Sequence, residues 1–203
     1  MIGMIPGADG IAVLQAWLDR HPQYAYTVDA YELAPNGTTQ TVTLRITYDA
    51  VTKVETVHVL HGRGTGADLR WAGGDTVDVR GPGLAHMVTV HVPVRTSLLL
   101  SPRGNDLRTA IFSRAAACYA ADASHVETTM DGTTMTLTDD HPTCTGEYGS
   151  LPVSTDRLTL NAADGRPLER ERLDGTTVVE HWTISDLQTG VPAATSTPKS
   201  ANP

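Results

Sequence analysis

The residues whose types best suit chemistry are Asp139, Asp140, His141 and Cys144, which offer carboxylate, imidazole and thiol donors over a short stretch. Donors of these kinds hold zinc, but the spacing matches no standard ligand pattern, so turn or surface residues are the plainer reading. Other histidines, His58, His61, His86 and His91, fall on or beside strand-like segments. Gly62-Arg63-Gly64-Thr65-Gly66-Ala67 fits G-x-G-x-x-A after a strand. A dinucleotide site needs a helix to begin there, whereas Leu69 to Gly74 reads as hairpin. Ser196-Thr197-Pro198-Lys199 fits S-x-x-K but lies in a tail that could not hold catalytic geometry. No nucleophile elbow, zincin helix or phosphate loop is present. The expectation is a non-enzyme without metal or cofactor.

Cys118 and Cys144 are the two cysteines. One lies near the end of the long helix and the other follows a hairpin that returns the chain towards the helix end. A disulfide between them fits an oxidising compartment, and free thiols fit the cytoplasm. Closing that loop would contribute about 3–4 kcal/mol in the chain-entropy model.

Composition narrows the class. The 203 residues are 40% apolar, enough for a core, yet only 5% aromatic, so the core must be mainly aliphatic. The net charge is −8, and arginines are scattered singly, which argues against a nucleic-acid partner. Met1 to Gly10 has neither the basic nor the apolar run of a signal peptide. The chain is expected to be either a processed form or a cytoplasmic protein. No run reaches the ~18 apolar residues of a membrane span. One domain is expected over residues 1–188, and 189–203, without apolar periodicity, is expected to be a disordered tail.

The elements that position these residues follow from periodicity. Met1 to Gly10 reads as a loose lead-in. Ile11 to Arg20 is a short helix with Ile11, Leu14 and Leu18 on one face, Trp17 beside them and Asp9 as its cap. Strands follow at 24–33, 38–48, 53–61, 69–72, 76–80 and 85–94, then a helix over 106–121 with Leu107, Ile111 and Phe112 clustered. A hairpin turns at Asp131-Gly132. Asp164-Gly165 and Asp174-Gly175 cut the remainder into a three-stranded meander. Two-residue turns there would oppose Glu169 to Glu180, an unfavourable like-charge pair, with Arg170 and Arg172 on the other face. Either one turn is longer, or the central segment is solvated.

Three stretches carry a family resemblance: Leu14-Gln15-Ala16-Trp17-Leu18 before the first strand, the hairpin Trp71 to Val79, and Asp164 to Glu171 followed by Trp182 to Leu187. With the element order, they resemble the LolA-like superfamily of bacterial envelope proteins, which includes outer-membrane lipoprotein carriers and lipoprotein-sorting-like proteins. The resemblance implies a mainly β (α+β) fold: a strongly curved antiparallel sheet forming an incomplete barrel, with an N-terminal and a central helix covering its concave side. It implies an extracytoplasmic location, in periplasm or cell envelope, and a monomer in peripheral contact with membranes. The carriers begin their third strand with an Arg-Pro pair that gates the cavity; here that region reads Asp49-Ala50-Val51-Thr52-Lys53.

Leu44, Ile46, Val88, Val90, Val92, Leu98 and Leu100, with Leu107, Ile111 and Phe112 of the central helix, offer more aliphatic surface than one small sheet needs. An apolar hollow for a lipid or acylated ligand, with the helix as its lid, would use that surface. Direct packing of the helix on the sheet is the other reading. Two functions follow: lipid binding in the hollow, or an envelope sensor or scaffold that docks a protein partner.

Overall fold

The protein, seen in a computed structural model, is described at residues 3–5, 7–33, 36–72, 76–91, 111–142 and 153–191. Among the described residues, twelve strands and two helices follow in the order β1 (Gly3–Ile5), α1 (Gly7–Arg20), β2 (Gln23–Leu33), β3 (Thr39–Asp49), β4 (Val54–His61), β5 (Asp68–Trp71), β6 (Thr76–Arg80), β7 (Val88–His91), α2 (Ile111–Ala121), β8 (Val126–Asp131), β9 (Thr134–Asp139), β10 (Thr155–Asn161), β11 (Pro167–Asp174) and β12 (Thr177–Thr189). They form one antiparallel sheet, ordered β1-β8-β9-β10-β11-β12-β2-β3-β4-β5-β6-β7.

The sheet corrects the expected strongly curved, incomplete barrel: it is open, neither closed nor strongly curled. Closure needs the first and last strands of the order to hydrogen-bond. Here those are β1 and β7, which pair with β8 and β6 respectively. The lead-in expected at residues 1–10 instead supplies β1 and the first turn of α1. A three-residue strand has too little periodicity to be read without its partner.

Strand alternation sends one set of side chains to each face. On the inner face lie Tyr24, Tyr26 and Val28 of β2, Leu44 and Ile46 of β3, Val57 and Val59 of β4, and Leu158 and Leu160 of β10, all buried. The outer face is polar, with pairs such as Thr43–Asp29 and Thr47–Thr56. Leu14, Trp17 and Leu18 of α1 are buried, as are Phe112, Ala115, Ala116 and Tyr119 of α2, an i, i+3, i+4, i+7 stripe. All seven join the inner-face residues in one core. The rings of Phe112 and Tyr26 lie 4.7 Å apart, and Trp17 meets Phe112 edge-on at 6.1 Å.

Two glycines set how closely α1 sits. A Cβ on Gly10 would lie 2.5 Å from Thr128 Oγ1, and one on Gly165 would lie 2.9 Å from Val13 Cγ1. Gly165 also has φ +78°, a left-handed conformation that side chains disfavour. The Asp164-Gly165 turn is longer than two residues, spanning 162–166 between β10 and β11. Helix α1 lies against it, and the Arg20 guanidinium donates to the Asp164 carbonyl at 2.9 Å.

Candidate functional site

The residues expected to line a hollow separate. Leu44, Ile46 and Phe112 are fully buried within the core. Val90 is half-buried against that core, and Val88 is exposed on β7. Val92, Leu98, Leu100 and Leu107 lie outside the described residues, as does the side chain of Ile111. One cavity borders this face at its β12–β2–β3 end. It is walled by Ala30, Val42, Leu44 and Trp182 with Glu32, Glu180 and Arg63, and its volume is about 30 Å³, room for roughly one water. A larger one, about 320 Å³, sits at the corner of α1 with β2 and β3, walled by Leu18, Tyr24 and Tyr48 with Gln15, Asp19 and His21.

Beside the apolar core the inner face carries charge. Direct register partners run Asp139, Asp156, Arg172, Glu180 and Glu32 across β9, β10, β11, β12 and β2. All five are buried. The Arg170 guanidinium donates to both Asp156 oxygens, at 3.1 and 2.5 Å, and Arg172 donates to Glu180 Oε2 at 3.1 Å. From α2, the Tyr119 hydroxyl donates to Asp156 Oδ1 at 3.1 Å. Burial alone would raise Asp156, but Arg170 and Arg172 outweigh it and hold the carboxyl below its ordinary value. Asp139 is pushed up to about 6, first by burial and then by the Asp122 carboxyl beside it, against the opposing His141 amide.

The like-charge conflict read in the meander is resolved here. The Asp174-Gly175 hairpin pairs Asp174 with Thr177, and a bulge after Arg172 then places Arg172 opposite Glu180 and Glu169 opposite Thr183. Neither arginine was expected to be buried, because a charge on a strand reads as solvated until its partner strand is known. Their i, i+2 spacing was the available signal.

A second buried acid lies across the face. Glu55 of β4 is paired in register with Trp71 of β5 and is buried, with no hydrogen-bond partner on either oxygen among the described residues. Burial raises its carboxyl well above the ordinary value. The cluster read as a metal candidate is split by alternation: Asp139 points inward, while Asp140 and His141 are exposed. Cys118 is disulfide-bonded, and Cys144, the other cysteine of the chain, lies outside the described residues. In the glycine loop Gly66 N–H donates to the Val59 carbonyl and Val59 N–H to that of Ala67, so the loop returns into β5 with no helix to receive a pyrophosphate.

No family model matches the sequence, and no curated protein does. Solved structures do match in fold. An uncharacterized conserved protein from Thermus thermophilus is 11% identical with TM-score 0.54, covering 92% of this chain and 88% of its own. A LolA superfamily protein from Nitrosomonas europaea is 9% identical with TM-score 0.46, covering 93% and 96%. The MucA/MucB complex of Pseudomonas aeruginosa contains a chain 16% identical with TM-score 0.46, covering 94% of this chain and 59% of that one. Identities this low speak to fold alone. The chain therefore shares the overall fold of the Thermus thermophilus protein.

Proposed function

We propose that the protein is a non-catalytic docking domain of the bacterial cell envelope that binds a protein partner rather than carrying a lipid. The observation that carries this reading is the dry inner face. Leu44, Ile46 and Phe112 are each 0% exposed, and Phe112 packs on Tyr26 where a hollow would have to open. The cavity at the β12–β2–β3 end of this face, about 30 Å³, falls far below the ~300 Å³ at which ligand pockets begin, and the one of about 320 Å³ lies at the polar corner of α1, against Gln15, Asp19 and His21, with no described residue of α2 in its wall. The bonded Cys118 suits an oxidising compartment. Leu84, Met87 and Val88 stay exposed around β7 and give a protein partner an apolar foothold.

The test is gentle purification from the native envelope, native mass spectrometry, and titration with the dye ANS and a fluorescent fatty acid. A ligand-free mass, no dye enhancement and no fatty-acid uptake are expected. In vivo cross-linking should give a protein adduct that Met87→Arg with Val88→Arg removes. Uptake of fatty acid at about one per chain would overturn the reading in favour of the lipid carrier.

A further inference from the structure

We propose that Glu169, Glu171 and His181 form a divalent-cation site of the zinc type on the outer face of the sheet, away from the inner face and independent of the docking reading. Glu169 and Glu171 sit at i, i+2 on β11 and so project from the same face. His181 of β12 is the direct register partner of Glu171. One donor atom from each residue, two carboxylate oxygens and an imidazole nitrogen, lies within 4.8 Å of the others. In a tetrahedral zinc site, with metal–ligand bonds of about 2.0–2.2 Å, neighbouring donors stand about 3.3 Å apart. Side-chain rotation of these long glutamates closes that difference without moving the strands. His181 Nε2 already hydrogen-bonds Glu169 Oε1, so the ring is turned towards the carboxylates.

The register holds this arrangement. It follows from the bulge after Arg172, which moves Glu180 inward to Arg172 and leaves His181 outward beside Glu171. The three side chains are between 32% and 41% exposed, so an ion can reach them and a fourth position stays open to water. Charge favours a cation, since two carboxylates face one imidazole. Arg157 competes weakly, with Nη1 3.9 Å from Glu171 Oε2. Binding needs the imidazole neutral, so acid weakens it.

The experiment uses the full chain after chelator treatment. Zinc is titrated by calorimetry, and cobalt by its visible absorption, which reports a tetrahedral nitrogen–oxygen site. One ion per chain is expected. Glu171→Gln and His181→Ala should each weaken zinc about tenfold or more, Arg157→Gln should strengthen it, and His58→Ala with His61→Ala should leave it unchanged. Glu171→Gln is nearly isosteric and keeps the fold even if His181→Ala does not. Equal zinc affinity in wild type and Glu171→Gln, or no binding at all, overturns the proposal.

Discussion

Replacing Asp156 with Asn tests the buried charge row most directly. The substitution keeps the shape and removes the charge that compensates Arg170 and part of Arg172. Three hydrogen bonds end on that carboxylate, two from Arg170 and one from Tyr119, and Arg172 Nε lies 3.6 Å from it. Arg172 keeps Glu180 at 3.1 Å, whereas both Arg170 hydrogen bonds to the carboxylate are weakened. Removing one partner from a buried pair costs about 3–5 kcal/mol, because the other charge is left desolvated. With a urea m-value of about 2 kcal/mol per molar, the midpoint should fall by about 2 M with unchanged slope. Sign and window follow from linkage. Asp156 titrates below its unfolded value when folded, so its stabilisation is complete above about pH 4 and is lost as pH falls through the folded value. Wild type should therefore weaken in acid, and Asp156→Asn should lose that part of the slope. A loss under about 1 kcal/mol with an unaltered acid limb would refute the reasoning, because it would mean water screens the row.

Three other substitutions probe the same face. Glu55→Leu should stabilise by about 1–3 kcal/mol at neutral pH by removing a buried carboxyl that makes no hydrogen bond among the described residues; a lower urea midpoint would contradict this. Asp139 is raised to about 6, so its contribution is complete below about pH 4 and is lost as pH climbs through 6. Melting temperatures of Asp139→Asn should be flatter than wild type between pH 4 and 7, and identical profiles would count against the raised Asp139 carboxyl. Phe112→Ala should cost about 3–5 kcal/mol, since the ring is fully buried against Trp17, Tyr24 and Tyr26. A midpoint within about 0.3 M of wild type would instead make α2 a loosely held lid.

Sequence alone determined much of the local structure. The period-2 pattern of Val42, Leu44 and Ile46 fixed β3 and its buried face, because a one-residue slip would expose all of them. Asp131-Gly132 fixed the β8–β9 hairpin, since Gly132 has φ +58°. The apolar face of Leu14, Trp17 and Leu18 fixed the buried side of α1, although the helix begins earlier, at Gly7. Tertiary structure decided what depends on partners distant in sequence. Arg172 is buried because a bulge brings Glu180 opposite it, and a single strand carries no record of that shift. Among the described residues the sheet stays open because β1 and β7 do not pair, and such closure is a property of all the strands together. The same logic divides the meander's charges: alternation assigns Glu169 and Glu171 to one face and Arg170 and Arg172 to the other. Which of the two faces is covered depends on tertiary packing: Tyr119 of α2 lies above Asp156, on the arginine face.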